Sequence, residues 1–178
     1  KIPKEEKWWD FFLENKIAKV NTELNPIDRI EKRLVDSIIT QSSADVPICS
    51  FLSGGIDSSL ITAILQKNSP KKISTFTIGF PTEKSSEIGF DESKYAGMIA
   101  NYLGTNHNTI NLTSKDVSAI IPTITDSYSE PFSDSSQIPT LLISKIISDY
   151  GFKIAITGDG GDELFGGYNR HLYVPLMI

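Results

Sequence analysis

The chain has 178 residues, 39% of them hydrophobic, enough for one domain to bury a core without help from metals or disulfides. A formal net charge of −5, a pI near 5.0 and the lack of any basic run interleaved with aromatics exclude a polyanion-binding surface, so no nucleic-acid partner is expected. No stretch approaches the ~20 apolar residues of a membrane span, the charged start Lys1 to Glu6 leads into no signal-type segment, and the lone Cys49 sits in a predicted core strand; the expectation is a soluble, cytoplasmic protein without a membrane partner.

In chain order, residues 1–24 form an amphipathic, linker-like segment in which Trp8, Trp9, Phe11 and Phe12 are too apolar to be left free. Residues 25–178 form the domain. Asn25 caps and Pro26 opens a helix to about Gln41, with Ile27, Ile30, Leu34 and Ile38 on one face. The apolar run Val46 to Leu52 is a strand, and a helix from about Ser58 to Lys67 follows, its face made of Leu60, Ile61, Ile64 and Leu65. Ile73 to Phe80 is a second strand. Asp91 and Glu92 start a helix carrying Tyr95, Ile99, Tyr102 and Leu103 on one side, and Gly104 stops it. A strand near His107 to Leu112, helices over Ser114 to Ser127 and Gln137 to Tyr150, and a last strand from Lys153 to Thr157 complete the order. Strands alternating with helices predict an α/β fold: a parallel sheet with helices on both faces.

Between the first strand and its helix lies Ser53-Gly54-Gly55-Ile56-Asp57-Ser58-Ser59. Gly54 and Gly55 permit a close backbone approach to an anion, the first helix amides point outward, and the hydroxyls of Ser53, Ser58 and Ser59 add donors: a phosphate site. The motif lacks the lysine of G-x-x-x-x-G-K-[ST] and the spacing of G-x-G-x-x-G. In place of a lysine stands Asp57. A carboxylate beside phosphates is repelled unless a divalent cation lies between them, so the pattern points to Mg²⁺ and pyrophosphate. The competing reading is a turn with a helix cap, since Ser and Asp cap well. Against it stands a second turn after the last strand, Gly158-Asp159-Gly160-Gly161-Asp162-Glu163, with three carboxylates at the carboxyl end of a strand, where α/β folds bind ligands. His107 and His171 are isolated, and His107 is read as structural.

These motifs, together with Asp45-Val46-Pro47, Thr75-Phe76-Thr77-Ile78-Gly79-Phe80, Asp91-Glu92-Ser93, Leu103-Gly104-Thr105, Ser129-Glu130-Pro131-Phe132-Ser133-Asp134-Ser135-Ser136, Ile138-Pro139-Thr140 and Leu164-Phe165-Gly166-Gly167-Tyr168, resemble the synthetase domain of the glutamine-dependent asparagine synthetase family. That family belongs to the ATP pyrophosphatase (PP-loop) superfamily, with an adenine nucleotide alpha hydrolase-like fold. The resemblance implies ATP and Mg²⁺ as cofactors and conversion of a carboxylate to an acyl-adenylate, with release of pyrophosphate, before ammonia attacks.

By the same resemblance, Ser53, Gly54, Gly55, Ser58 and Gly158 would bind the phosphates, Leu52 and Ile78 would line the adenine and ribose side, Asp57 and Asp162 would ligate the metal, and Asp159 would be the general base. The family's amino-terminal glutaminase, the source of ammonia, and the helical half beyond Tyr168 are expected to lie outside this chain, which is read as a fragment of a protein that is a possible homodimer at full length. The acceptor is aspartate or another carboxylate, such as a uronic acid of a surface polysaccharide. Another ATP pyrophosphatase chemistry or a non-catalytic nucleotide-binding module are the alternatives.

Overall fold

The structure, a computed structural model, describes residues 4–7, 25–80, 92–130, 133–134 and 136–173. The expectations for Trp8, Trp9, Phe11, Phe12 and Asp91 lie outside the described residues. The chain divides into two compact units, 1–36 and 37–178, and the sheet belongs to the second. Its strands are β1 (Ile48–Phe51), β2 (Ser74–Gly79), β3 (Asn106–Asn111) and β4 (Ile154–Ile156). They pair in parallel in the order β3-β2-β1-β4. The helices are α1 (Pro26–Gln41), α2 (Ile56–Lys67), α3 (Ser93–Leu103), α4 (Ser114–Ile120), α5 (Ile124–Ser127), α6 (Gln137–Asp149), α7 (Gly161–Phe165) and α8 (Asn169–Tyr173).

Strand alternation divides the core between two faces of different chemistry. On one face Cys49 and Phe76 pack with Ile143 and Ile147 of α6, joined by Phe51, Ile78, Ile110 and Ala155. The Phe76 ring, fully buried, meets Tyr150 and Phe152 edge-on at 5.5 Å. On the other face Leu52 packs on Ala96 and Ala100 of α3. Beside it the buried hydroxyls are paired, as burial requires: Ser50 Oγ lies 2.9 Å from Thr62 Oγ1 of α2, and Thr75 Oγ1 lies 3.1 Å from Thr105 Oγ1 and 2.9 Å from His107 Nδ1. Helices thus cover both faces of a parallel sheet, as the alternation of elements predicts. The helix ending at Gly104 follows expectation too, with Gly104 at φ 72° and Thr105 N–H donating to Ala100 O at 3.0 Å.

Several faces differ from the sequence reading. In α3 the buried residues are Ala96 and Ala100, while Tyr95 and Tyr102 are exposed. Small side chains let the helix sit close to Leu52, and the tyrosines would hold it off. In α2 Ile64 and Leu65 are buried as expected, but Ser58 and Thr62 are buried beside them, Thr62 because the sheet opposite offers the Ser50 hydroxyl, and Leu60 is exposed. In α1 Ile38 is buried, but Ile27 and Ile30 are exposed. The single helix expected from Ser114 to Ser127 is divided at the 3-10 turn Ile121–Thr123, where Pro122 removes a donor and clashes with a continuing α-turn.

Candidate active site

Strand order makes the site. The chain builds β1, β2 and β3 in one direction and then returns to place β4 on the other side of β1, so the loops leaving the carboxyl ends of β1 and β4 flank the point where the order reverses. The first loop runs through Ser53-Gly54-Gly55 into α2, and the second through Thr157-Gly158-Asp159-Gly160 into α7.

The two loops touch, and glycines permit it. A Cβ on Gly158 would stand 2.9 Å from Ser58 N and 3.2 Å from Asp57 Cβ. One on Gly161 would fall on the Asp57 carboxylate, and one on Gly167 on Oδ1 of Asp162. The second loop therefore crosses the amino terminus of α2, and the carboxylates of Asp57 and Asp162 lie in room left by missing side chains. A cleft of about 890 Å³ opens here. One wall is Leu52, Ser53, Gly55, Asp57 and Ser58, the other Thr157, Gly158, Asp159 and Asp162, with Ile78 between strand ends.

The amino terminus of α2 has the character expected of an anion site. Gly55, its N-cap, is extended and gives no side-chain cap, and the first intrahelical bond runs from Ser59 N–H to Gly55 O at 3.1 Å. The amides of Ile56, Asp57 and Ser58 have no partner within the helix, and the helix dipole adds its positive end. The serine hydroxyls shape the loop: Ser58 Oγ accepts the Ser53 N–H at 3.2 Å and lies 2.9 Å from Ser53 Oγ, which accepts the Gly55 N–H at 3.2 Å.

Two residues of the first motif have other tasks. Ser59 Oγ donates to Gly55 O at 2.6 Å and does not line the cleft. Gly54, at φ 90°, is set against α3, where a Cβ would come within 2.9 Å of Tyr95 Cβ and 3.0 Å of Ala96 N, and it too is absent from the cleft wall. Its missing side chain lets the loop pack on α3, and of the two glycines Gly55 lines the cleft.

In the second loop Thr157 Oγ1 donates to Asp159 Oδ2 at 2.8 Å and accepts the Asp159 N–H at 3.3 Å. The third carboxylate of the motif goes elsewhere. Glu163 accepts from the Tyr168 hydroxyl at 2.8 Å, and the Arg170 guanidinium lies 4.2 Å from the centre of the Tyr168 ring. The Tyr168 hydroxyl holds the Glu163 carboxyl below its ordinary range, and the same bond pushes the phenol up. Glu163 is not part of the cleft wall, so the expected trio of acids reduces to Asp159 and Asp162 with Asp57 opposite.

Cys49 is buried and its thiol donates to Ile154 O at 3.5 Å; burial pushes it up to about 11, which makes it inert at neutral pH. Burial holds the His107 ring below its ordinary range, and its Nδ1 lies 2.9 Å from Thr75 Oγ1.

The residues fit a magnesium ion carried with a nucleotide. Among the described residues no three His, Cys, Asp or Glu side chains gather as a self-sufficient metal site. Mg²⁺ commonly takes one or two carboxylates and completes its shell with water and substrate phosphates, and Asp57 and Asp162, each accommodated by a glycine, are both in the cleft lining, so the acids present are of the kind and number such an ion takes.

One wall is made of residues that the sequence motifs contain but to which no role was assigned. Ser136, Pro139 and Thr140, at the start of α6, line the cleft together with Phe165 and Glu92. Proline at the third position of a helix marks a helix start in sequence, since its missing N–H is one of the unpaired ones. Nothing in that signal says which strand end the helix start faces.

The asparagine synthase family model matches residues 29–176. Asparagine synthetase 1 (glutamine-hydrolysing) of Bacillus subtilis is 32% identical over 143 residues, which are 80% of this chain and 22% of that protein. Asparagine synthetase B of Escherichia coli K12 is 30% identical, over 90% of this chain and 29% of that protein, and an amidase of Penicillium rubens is 31% identical, over 91% and 26%. The chain thus spans about a quarter of the length of these relatives. Among solved structures, a glutamine-dependent NAD⁺ synthetase from Acinetobacter baumannii in complex with ADP aligns with TM-score 0.52 and 19% identity, over 82% of this chain and 28% of that one. An NH₃-dependent NAD synthetase from Campylobacter jejuni aligns at 0.51 and 15%, over 80% and 60%. They show the fold, the PP-loop or adenine nucleotide alpha hydrolase-like arrangement of a parallel sheet with helices on both faces. With the family model covering the chain from α1 to the segment after α8, the chain belongs to the asparagine synthase family.

Proposed function

We propose that this chain is the ATP-binding part of an enzyme that amidates a carboxylate through an acyl-adenylate. The observation that carries the reading is the contact of the two strand-end loops, which sets the amino terminus of α2 and the carboxylate of Asp57 against Gly158 and Gly161 of the loop that bears Asp159 and Asp162.

A carboxylate cannot exchange oxide for nitrogen at neutral pH, so its oxygen first attacks the α-phosphorus of ATP and pyrophosphate leaves. Ser53, Gly55, Ser58 and the amides of the first turn of α2 hold the β and γ phosphates; Leu52 and Ile78 flank the adenine and ribose; Gly158 keeps the second loop close. Mg²⁺ bound at Asp57 and Asp162 would supply charge neutralisation for the departing pyrophosphate. Ammonia then attacks the acyl carbon, AMP departs, and the proton lost by nitrogen passes to a carboxylate oxygen of Asp159. The ammonia comes from a glutaminase outside this chain, as the glutamine-hydrolysing relatives suggest.

Aspartate is the acceptor the named synthetases suggest, while the similarity to an amidase keeps a different carboxylate, a sugar acid among them, as the second reading. The intact protein supplied with ATP, ammonia and a panel of carboxylates should form AMP and pyrophosphate in step with one amide. Formation of ADP and phosphate would overturn the adenylate route.

A further inference from the structure

We infer that Thr62 is a positioning residue for nucleotide binding: its buried hydroxyl fixes α2 on the sheet and so sets where the amino terminus of that helix stands, a reading that rests on that terminus holding the ATP phosphates. β1 and the loop after it meet α2 through two rungs of paired hydroxyls. The lower rung is Ser50 Oγ and Thr62 Oγ1 at 2.9 Å, both residues fully buried. The upper rung is Ser53 Oγ and Ser58 Oγ at 2.9 Å, at the phosphate turn itself. Ser50 also donates to Ile156 O of β4 at 3.3 Å, which occupies its one proton, so in the lower rung Thr62 donates and Ser50 accepts. A single hydroxyl thus ties α2 to β1 and, through Ser50, to the end of β4. Ser58 and Thr62 are four residues apart on one helix face, so the rungs lie about 6 Å apart along the axis. The helix is stiff over that length, and a slide or turn at Thr62 is carried to Ser58 and to the amides of Ile56, Asp57 and Ser58. The apolar packing that holds α3 through Ala96 and Ala100, and α6 through Ile143 and Ile147, is non-directional and tolerates small slides, whereas a hydrogen bond is set in length and angle.

The test titrates MgATP, with no carboxylate acceptor present, into the intact protein by calorimetry and reads the Tm of each variant without nucleotide. Thr62→Val keeps shape and branching and leaves no orphan donor, because Ser50 still donates to Ile156 O; Thr62→Ser keeps the hydroxyl and removes a buried methyl. The two should split in opposite directions. In Thr62→Val the Kd should be about threefold to tenfold weaker with Tm near wild type, and in Thr62→Ser the Kd should stay near wild type while Tm falls. A Kd that follows Tm across both variants would make the role structural and overturn the inference, as would an unchanged Kd in Thr62→Val or failure of that variant to fold. Ser58→Ala, titrated in parallel, separates this failure from that of the underlying reading: if it weakens MgATP and Thr62→Val does not, only the role of Thr62 falls, and if neither does, the phosphates are held elsewhere.

Discussion

At the residue scale, the two half-reactions should come apart by substitution. Asp159→Asn keeps shape and polarity but removes basicity, so pyrophosphate exchange should persist while amide formation falls by about 10²- to 10⁴-fold, the range for loss of a general base. If both fell together, Asp159 would belong with the adenylation geometry. Glu163 could not then replace it without leaving the hydroxyl of Tyr168. Gly158→Ala should damage both steps, because its Cβ meets the backbone amide of Ser58 at 2.9 Å, a contact that only a shift of one loop relieves. Steady-state kinetics with unchanged far-UV circular dichroism would check this, and wild-type rates would mean that the loops need not touch. Most of these residues were legible in sequence because glycines and acids next to a strand end have few other reasons to occur together. The different fates of Gly54 and Gly55, or of Asp162 and Glu163, were not legible: neighbours in sequence look alike until the packing of α3 or the position of Tyr168 is known.

At the element scale, the loop before α2 is held by its fit against α3. Gly54→Ala introduces a Cβ at 2.9 Å from Tyr95 Cβ in a residue at φ 90°, so it should cost about 1–3 kcal/mol, read as a lower Tm, and a Tm equal to wild type would contradict the fit. The start of α4 offers a pH test. Thr113 and Asp116 form a reciprocal cap, in which the Thr113 hydroxyl at 2.6 Å and its N–H at 2.8 Å both donate to Asp116 Oδ2, and these bonds hold the carboxyl below its ordinary range. A depressed carboxyl contributes stability above the unfolded-chain value of about 3.9 and loses it as pH falls through the lower folded value. The Tm difference between wild type and Asp116→Asn should be steady from pH 7 to pH 5 and shrink in more acid solution; a difference growing on acidification would contradict the assignment. Periodicity found these helices and part of their buried faces, at Ile38, Ile64 and Leu65, but not the whole of them. In α2 and α3 the decisive inward positions are Thr62, Ala96 and Ala100, which a search for large apolar side chains passes over because they bury hydroxyls or a close approach rather than bulk.

At the scale of the whole molecule, the alternation of strands and helices was enough to foresee a parallel sheet, whereas the order β3-β2-β1-β4 was not, since nothing local states on which side of β1 the last strand returns. That return is what makes two separate motifs into one cleft. The sheet depends on its apolar face: Phe76→Ala, at a fully buried ring held between Tyr150, Phe152 and α6, should cost about 3–5 kcal/mol in denaturant unfolding, and a cost below about 1 kcal/mol would show the core misplaced. The central claim is that the cleft at the β1/β4 switch point adenylates a carboxylate. Its most direct test is carboxylate-dependent exchange of labelled pyrophosphate into ATP by the intact protein, beside the Asp57→Asn variant, which on the proposed function loses a metal ligand while keeping the fold. The account predicts exchange that requires both Mg²⁺ and one carboxylate of the panel and that disappears in Asp57→Asn; exchange at the wild-type rate in that variant would contradict it.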